Sequence, residues 1–151
     1  MELDHEKLDV YRVALDFAAW AYTVCRTLKG LDRPTRDQLV RASQSIALNI
    51  AEGCGKIPAA ERGRFLQIAC GSARECGAIL DILERCGTLD SEAVCTGKDL
   101  LVRIVAMLTR MIERGNQVCE QESVYRYEED EGQQEGRSEE RRVGKECRSR
   151  W

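Results

Sequence analysis

Clusters of glycine and proline cut this 151-residue chain into four long segments in which apolar residues recur at helical spacing. That punctuation leaves little choice of fold. The first segment runs from about Lys7 to Lys29 and stops at Gly30, a residue suited to the left-handed conformation that ends helices. Thr35 with Gln38 three residues on has the spacing of a capping box, and it opens a second helix that ends near Gly53 and Gly55. Pro58 suits the first turn of a third helix, which runs to Cys86 and halts at Gly87. Asp90 is placed to cap a fourth, with Leu89 and Val94 as a hydrophobic staple, and that helix continues to about Gln117. Two Pro and two Phe are too few for a many-stranded sheet. Short connections between four helices predict an all-α, antiparallel up-down-up-down four-helix bundle over residues 1–118.

Winding each segment at about 100° per residue shows how much it must bury. Helix four carries one stripe, Leu101, Ile104, Val105, Leu108, Met111 and Ile112, opposite Arg103, Arg110 and Glu113. Helix one carries two. Leu8, Tyr11, Leu15, Ala18 and Tyr22 form one, and Val10, Val13, Phe17, Trp20 and Val24 form another beside it. A helix in a small bundle buries about half its circumference in its own core. The second stripe is therefore expected to form an oligomer interface, since several such side chains left wet forfeit several kcal/mol at ~25 cal/mol per Å². The alternative is a helix one unusually central within a single chain.

Helix two points Leu39, Ala42, Ser43, Ile46, Ile50 and Cys54 one way, and Arg41, Ser45, Asn49 and Glu52 the other. Leu48 sits in that polar face, so Leu48 and Asn49 are candidates for meeting a partner. Ser43 and Ala47 are small enough for a neighbouring helix to approach closely. Helix three repeats the device with Gly71, Ser72, Gly77 and Ala78. Each interior Gly costs about 1 kcal/mol relative to Ala, and close packing is the expected compensation.

No residue pattern points to a reaction. The single histidine, His5, lies near the N-terminus, which removes a Ser-His-Asp triad, a Cys-His pair and a bundle di-iron site. The cysteines at 25, 54, 70, 76, 86, 95 and 119 contain no C-x-x-C pair, so no zinc site, other metal or cofactor is expected. Cys25, Cys54, Cys76 and Cys86 fall on or beside apolar stripes and read as small core residues. "GCGK" (53–56) lacks the spacing of a phosphate loop and reads as a helix stop. Glu75 and Asp81 are not placed as an acid/base pair, and surface ion pairs with Arg74 and Arg85 are expected instead.

The last fifteen residues, "RSEERRVGKECRSRW" (137–151), resemble the in-frame translation of a sequencing adapter and are set aside as non-native. The remaining 136 residues carry 17 Lys/Arg against 23 Asp/Glu. Residues 119–136 are acidic with little apolar content and read as disordered. Residues 26–74 hold nine basic and four acidic side chains, the reverse of the balance that follows. Arg33, Arg36, Arg41, Lys56, Arg62 and Arg64 in this stretch are the candidates for binding RNA or DNA, against a solvated, salt-bridged face as the alternative. Few aromatics lie among them to stack bases. The acidic start lacks a signal peptide and no run approaches 18 apolar residues, so no membrane span and a cytoplasmic address are expected.

"KLDVYRVALDFA" (7–18), "QLVRASQSIALNIAEG" (38–53) and "RFLQIACGSARE" (64–75) together resemble the bacterial four-helix-bundle proteins known as 23S rRNA intervening-sequence proteins, over roughly residues 5–118. That family commonly has Pro after the Ser-Ile of the second motif; Ala47 stands there, which implies a straighter helix two. The resemblance implies a homo-oligomer, typically a pentameric barrel, with no established enzymatic activity. A related branch resembles the accessory proteins of diversity-generating retroelements, which bind nucleic acid and are strongly basic, unlike this chain. The expected function is a non-enzymatic, self-associating scaffold or adaptor. The alternative is a nucleic-acid-binding accessory subunit.

Overall fold

The computed structural model describes residues 3–115. A 3-10 turn at Asp4–Lys7 leads into α1 (Asp9–Cys25), and a second at Gly30–Asp32 leads into α2 (Arg33–Cys54). α3 (Ala59–Arg85) and α4 (91–115) follow. The described residues form four long helices packed against one another, an all-α four-helix bundle. Pairs of touching residues give the directions. Gln38, Ser45 and Gly53 of α2 meet Glu75, Ser72 and Phe65 of α3, ascending on one helix as they descend on the other. Cys25 and Tyr22 of α1 meet Arg36 and Gln44 of α2, while Asp81 and Gly77 of α3 meet Lys98 and Leu101 of α4. Each of these neighbours runs against the next. The acidic segment expected over 119–136 and the basic one over 137–151 lie outside the described residues.

Local chemistry explains most helix ends. Asp90 caps α4 as expected, its Oδ1 accepting the Ala93 N–H at 2.8 Å, with Val94 buried and Leu89 packed on the core. α3 ends in a Schellman arrangement around Gly87, whose φ is +72°. There the Thr88 N–H donates to the Leu83 carbonyl and the Gly87 N–H to the Glu84 carbonyl, both at 2.9 Å. The start of α2 differs from expectation. The helix begins at Arg33, two residues before Thr35, with Pro34 in its first turn and no side-chain cap. Proline lacks an N–H that the first turn could not have bonded, so it starts the helix without help from Thr35. Pro58 stands one position earlier than expected, as the N-cap of α3. α1 ends at Cys25, and Gly30, at φ +64°, belongs to the following turn.

The second stripe of helix one supplies most of its core contacts. Val10, Val13, Phe17 and Val24 are buried within the single chain, and Trp20 packs against the same core, so the stripe expected to be an oligomer interface is this bundle's interior. Leu8 and Tyr11 of the other stripe pack on the same core, yet the helix is not buried all round. Leu15 and Tyr22, from the other stripe, stand 46% and 40% exposed. The reason lies on α4. A Cβ placed on Gly97 would run into the Trp20 indole and come within 2.9 Å of Leu80 Cδ1, so the missing side chain makes the slot in which Trp20 lies. Gly53 marks a second close approach, its Cβ position 3.2 Å from Phe65 Cβ. Gly71 has nothing within 4 Å, and Gly77 only Leu101 at 3.9 Å. Gly71, expected to admit a neighbouring helix, faces open space instead, and Gly77 is in no more than ordinary contact with α4.

Candidate functional site

The groups able to do chemistry are scattered or sequestered. Among the described residues no three His, Cys, Asp or Glu gather as a metal site. His5 lies edge-on against the Tyr11 ring, centroids 4.7 Å apart. Cys25, Cys70 and Cys76 are buried, and burial pushes the Cys76 thiol up to about 12 and raises that of Cys25. Both are therefore protonated, poor nucleophiles at neutral pH. Cys86 is exposed at the end of α3, not the core residue expected, because the helix stops there and its last side chain overhangs the turn.

The six basic candidates do not form one patch. Arg33 and Arg36 stand at the start of α2, while Lys56, Arg62 and Arg64 stand beyond its far end, and a helix of 22 residues at about 1.5 Å each is roughly 33 Å long. Arg41 lies between. Arg36 is tied to Asp37 at 2.9 Å. Lys56 is tied to Glu52 at 2.8 Å and lies over the Phe65 ring, and this pairing raises its ammonium pKa above the ordinary value. Arg62 donates to the Lys56 carbonyl at 3.2 Å, and its side chain, like those of Arg33, Arg41 and Arg64, is exposed. The acidic pairings also differ from expectation. Asp81 pairs with Lys98 of α4, and Glu75 accepts from Gln38 Nε2 at 3.0 Å.

On the outer face of α2, Leu48 is 68% exposed, as its place among polar residues predicts. Asn49 is already engaged. Its Nδ2 donates to the Ser45 carbonyl at 2.7 Å and to Ser45 Oγ at 3.0 Å, and Ser45 in turn bonds Ser72 of α3 at 2.9 Å. Asn49 thus belongs to the polar seam joining α2 and α3, leaving Leu48 alone to face outward.

One concavity among the described residues was not legible in the sequence. Between α3 and α4 lies a cleft of about 450 Å³ lined by Ala73, Gly77, Leu101, Val102, Val105 and Ala106, with Arg74 and Lys98 at its rim. Val102 is 67% exposed at the lip. Lys98 is neutralised by Asp81, whereas Arg74 makes no ion pair among the described residues. Gly77 forms part of the floor, and an interior glycine that crowds nothing in its own chain was the available signal. An open apolar cleft edged by a cation without an ion pair among the described residues suits the seating of another apolar surface.

Fold and surface together define a helical bundle with three buried thiols and an open apolar cleft between α3 and α4. The family described as 23S rRNA-intervening sequence protein matches residues 6–110, and the chain belongs to that family. No curated protein matches the sequence. Among solved structures, the chain is similar to a crystal structure of a protein of unknown function from the S23 ribosomal protein family of Bacteroides thetaiotaomicron VPI-5482. The two are 23% identical with a TM-score of 0.64, over 68% of this chain and 97% of that one. At that identity the likeness shows the shared fold.

Proposed function

We propose that this protein is a non-enzymatic, self-associating bundle that works as a scaffold or adaptor in the cytoplasm. The observation that carries the reading is the α3–α4 cleft. Its lining is apolar, its lip bears an exposed Val102, and Gly77 leaves its floor open to the backbone of an incoming helix. Exposed Leu15, Tyr22, Leu48, Ile68 and Ile82 add apolar surface elsewhere on the bundle. Association removes apolar area of this kind from water, the main favourable contribution in most protein–protein contacts. Membership of the intervening-sequence family favours a ring of five. Native mass spectrometry of the full chain at low salt, purified without nuclease, is the test. A pentamer free of nucleic acid is expected, and a monomer at micromolar concentration would overturn the reading.

A second reading, a nucleic-acid-binding accessory subunit, is favoured by one observation. Arg33, Arg41, Arg62 and Arg64 are exposed and make no ion pair among the described residues. Repeated around a ring, even separated cations act multivalently. Nucleic acid retained by the pentamer at low salt would support it.

A further inference from the structure

We propose that the α3–α4 cleft is the seat for α1 of a second copy of this chain, with Asp16 of the incoming helix meeting Arg74 at the rim. The inference rests on the self-association reading above and names the two surfaces that meet.

The cleft sets the requirements. Its floor holds Ala73 and Gly77, and the Cβ position of Gly77 meets nothing nearer than Leu101 at 3.9 Å, so a helix can come close. Its lip is aliphatic, and its one charge without an ion-pair partner among the described residues is the Arg74 guanidinium. The occupant must therefore present a short apolar stripe with small residues and a free carboxylate beside it.

α1 presents that combination. Leu15, Ala19 and Tyr22 are exposed at spacings of four and three, which puts them on one face over about 10 Å of helix. Ala19 keeps the middle of the face low. Gln44 of α2 bonds the Tyr22 hydroxyl and holds the ring in place, so little of its freedom is lost on docking. Asp16 is exposed next to Leu15 and makes no ion pair among the described residues, unlike Asp9, which lies 3.7 Å from Arg12.

The other apolar faces fit less well. Leu48 stands alone on its face, since Gln44 and Glu52, one turn to either side, are polar and exposed, so α2 offers no apolar stripe. Ile68 and Ile82 lie on α3 itself, which forms one wall of the cleft, and Glu75 between them is engaged by Gln38. α1 packs against α2 through Tyr22 and Cys25 and against α4 at Gly97, so its outer face is separate from the α3–α4 cleft. Each copy can give α1 to one neighbour and receive α1 from another. Such a heterologous contact closes into a ring when its rotation permits.

The test is a charge exchange read by native mass spectrometry and light scattering on the full chain. Asp16→Arg and Arg74→Asp each place like charges across the contact, and the double variant restores opposite ones. Each single variant is expected to raise the concentration at which the assembly dissociates at least tenfold, with the double variant returning toward the wild type. Both positions are exposed, and unchanged far-ultraviolet circular dichroism separates lost assembly from lost folding. A wild-type oligomer that neither single change weakens, or a double variant no better than the singles, overturns this contact and leaves self-association standing. A monomeric wild type overturns both.

Discussion

Two glycines in this bundle should respond oppositely to the same substitution. A methyl at position 97 has no room beside the Trp20 ring and Leu80, so Gly97→Ala must displace the indole. Overpacking of that kind costs about 1–3 kcal/mol, which exceeds the ~1 kcal/mol that alanine gains in helix propensity. The urea midpoint of Gly97→Ala should fall, while that of Gly71→Ala, with its open Cβ position, should rise. A fall for both would mean that position 71 is already crowded. Cys76 supplies a pH dependence. Its thiol keeps its proton up to about 12 in the folded chain, against 9.0 ordinarily. Between those values the unfolded chain binds fewer protons, so stability falls as pH rises, by about 1.4 kcal/mol per unit from this group. Below pH 9 it contributes no slope. Urea midpoints of wild type and Cys76→Ala, compared from pH 8 to 10.5, should show a steeper alkaline decline in the wild type.

At the scale of the helix, termini were legible where one residue's chemistry decides them. Asp90 caps α4 through the Ala93 N–H, and Asp90→Ala should cost about 1 kcal/mol in a denaturant titration. Thr35→Ala should cost little, because α2 starts at Arg33 and makes no side-chain cap. Equal losses would show that Thr35 acts as a cap in solution. The capping-box spacing misled because Pro34, one residue before it, already starts the helix. Which stripe of α1 faces inward was not legible for a different reason. Both stripes are apolar at the same period, and the choice is made by Gly97, distant in sequence, which opens a slot only Trp20 fills. The α3–α4 cleft was hidden likewise, since its walls come from two helices and no pattern within either one describes it.

For the whole molecule, charge argues against a polyanion as the main ligand. Residues 1–136 carry more acidic than basic groups, and two of the six candidate cations are already tied to carboxylates. Binding to a 20-nucleotide RNA should be weak at 50 mM salt and lost by 200 mM. Tight binding that drops when Arg33, Arg41 and Arg62 become Ala would move the assignment to the accessory-subunit reading.

The Trp20–Gly97 slot also bears on the order in which the chain assembles. Its two partners lie roughly 80 residues apart in sequence, whereas α2 and α3 are joined by four residues, 55–58. The entropy of loop closure grows by about 0.6 kcal/mol per doubling of length, a handicap of about 2.6 kcal/mol for the longer closure. The α2–α3 hairpin should therefore form early, and entry of the indole into its slot should be among the last events. A destabilising change at position 97 would then speed unfolding more than it slows refolding, which makes the slot a latch on the finished bundle.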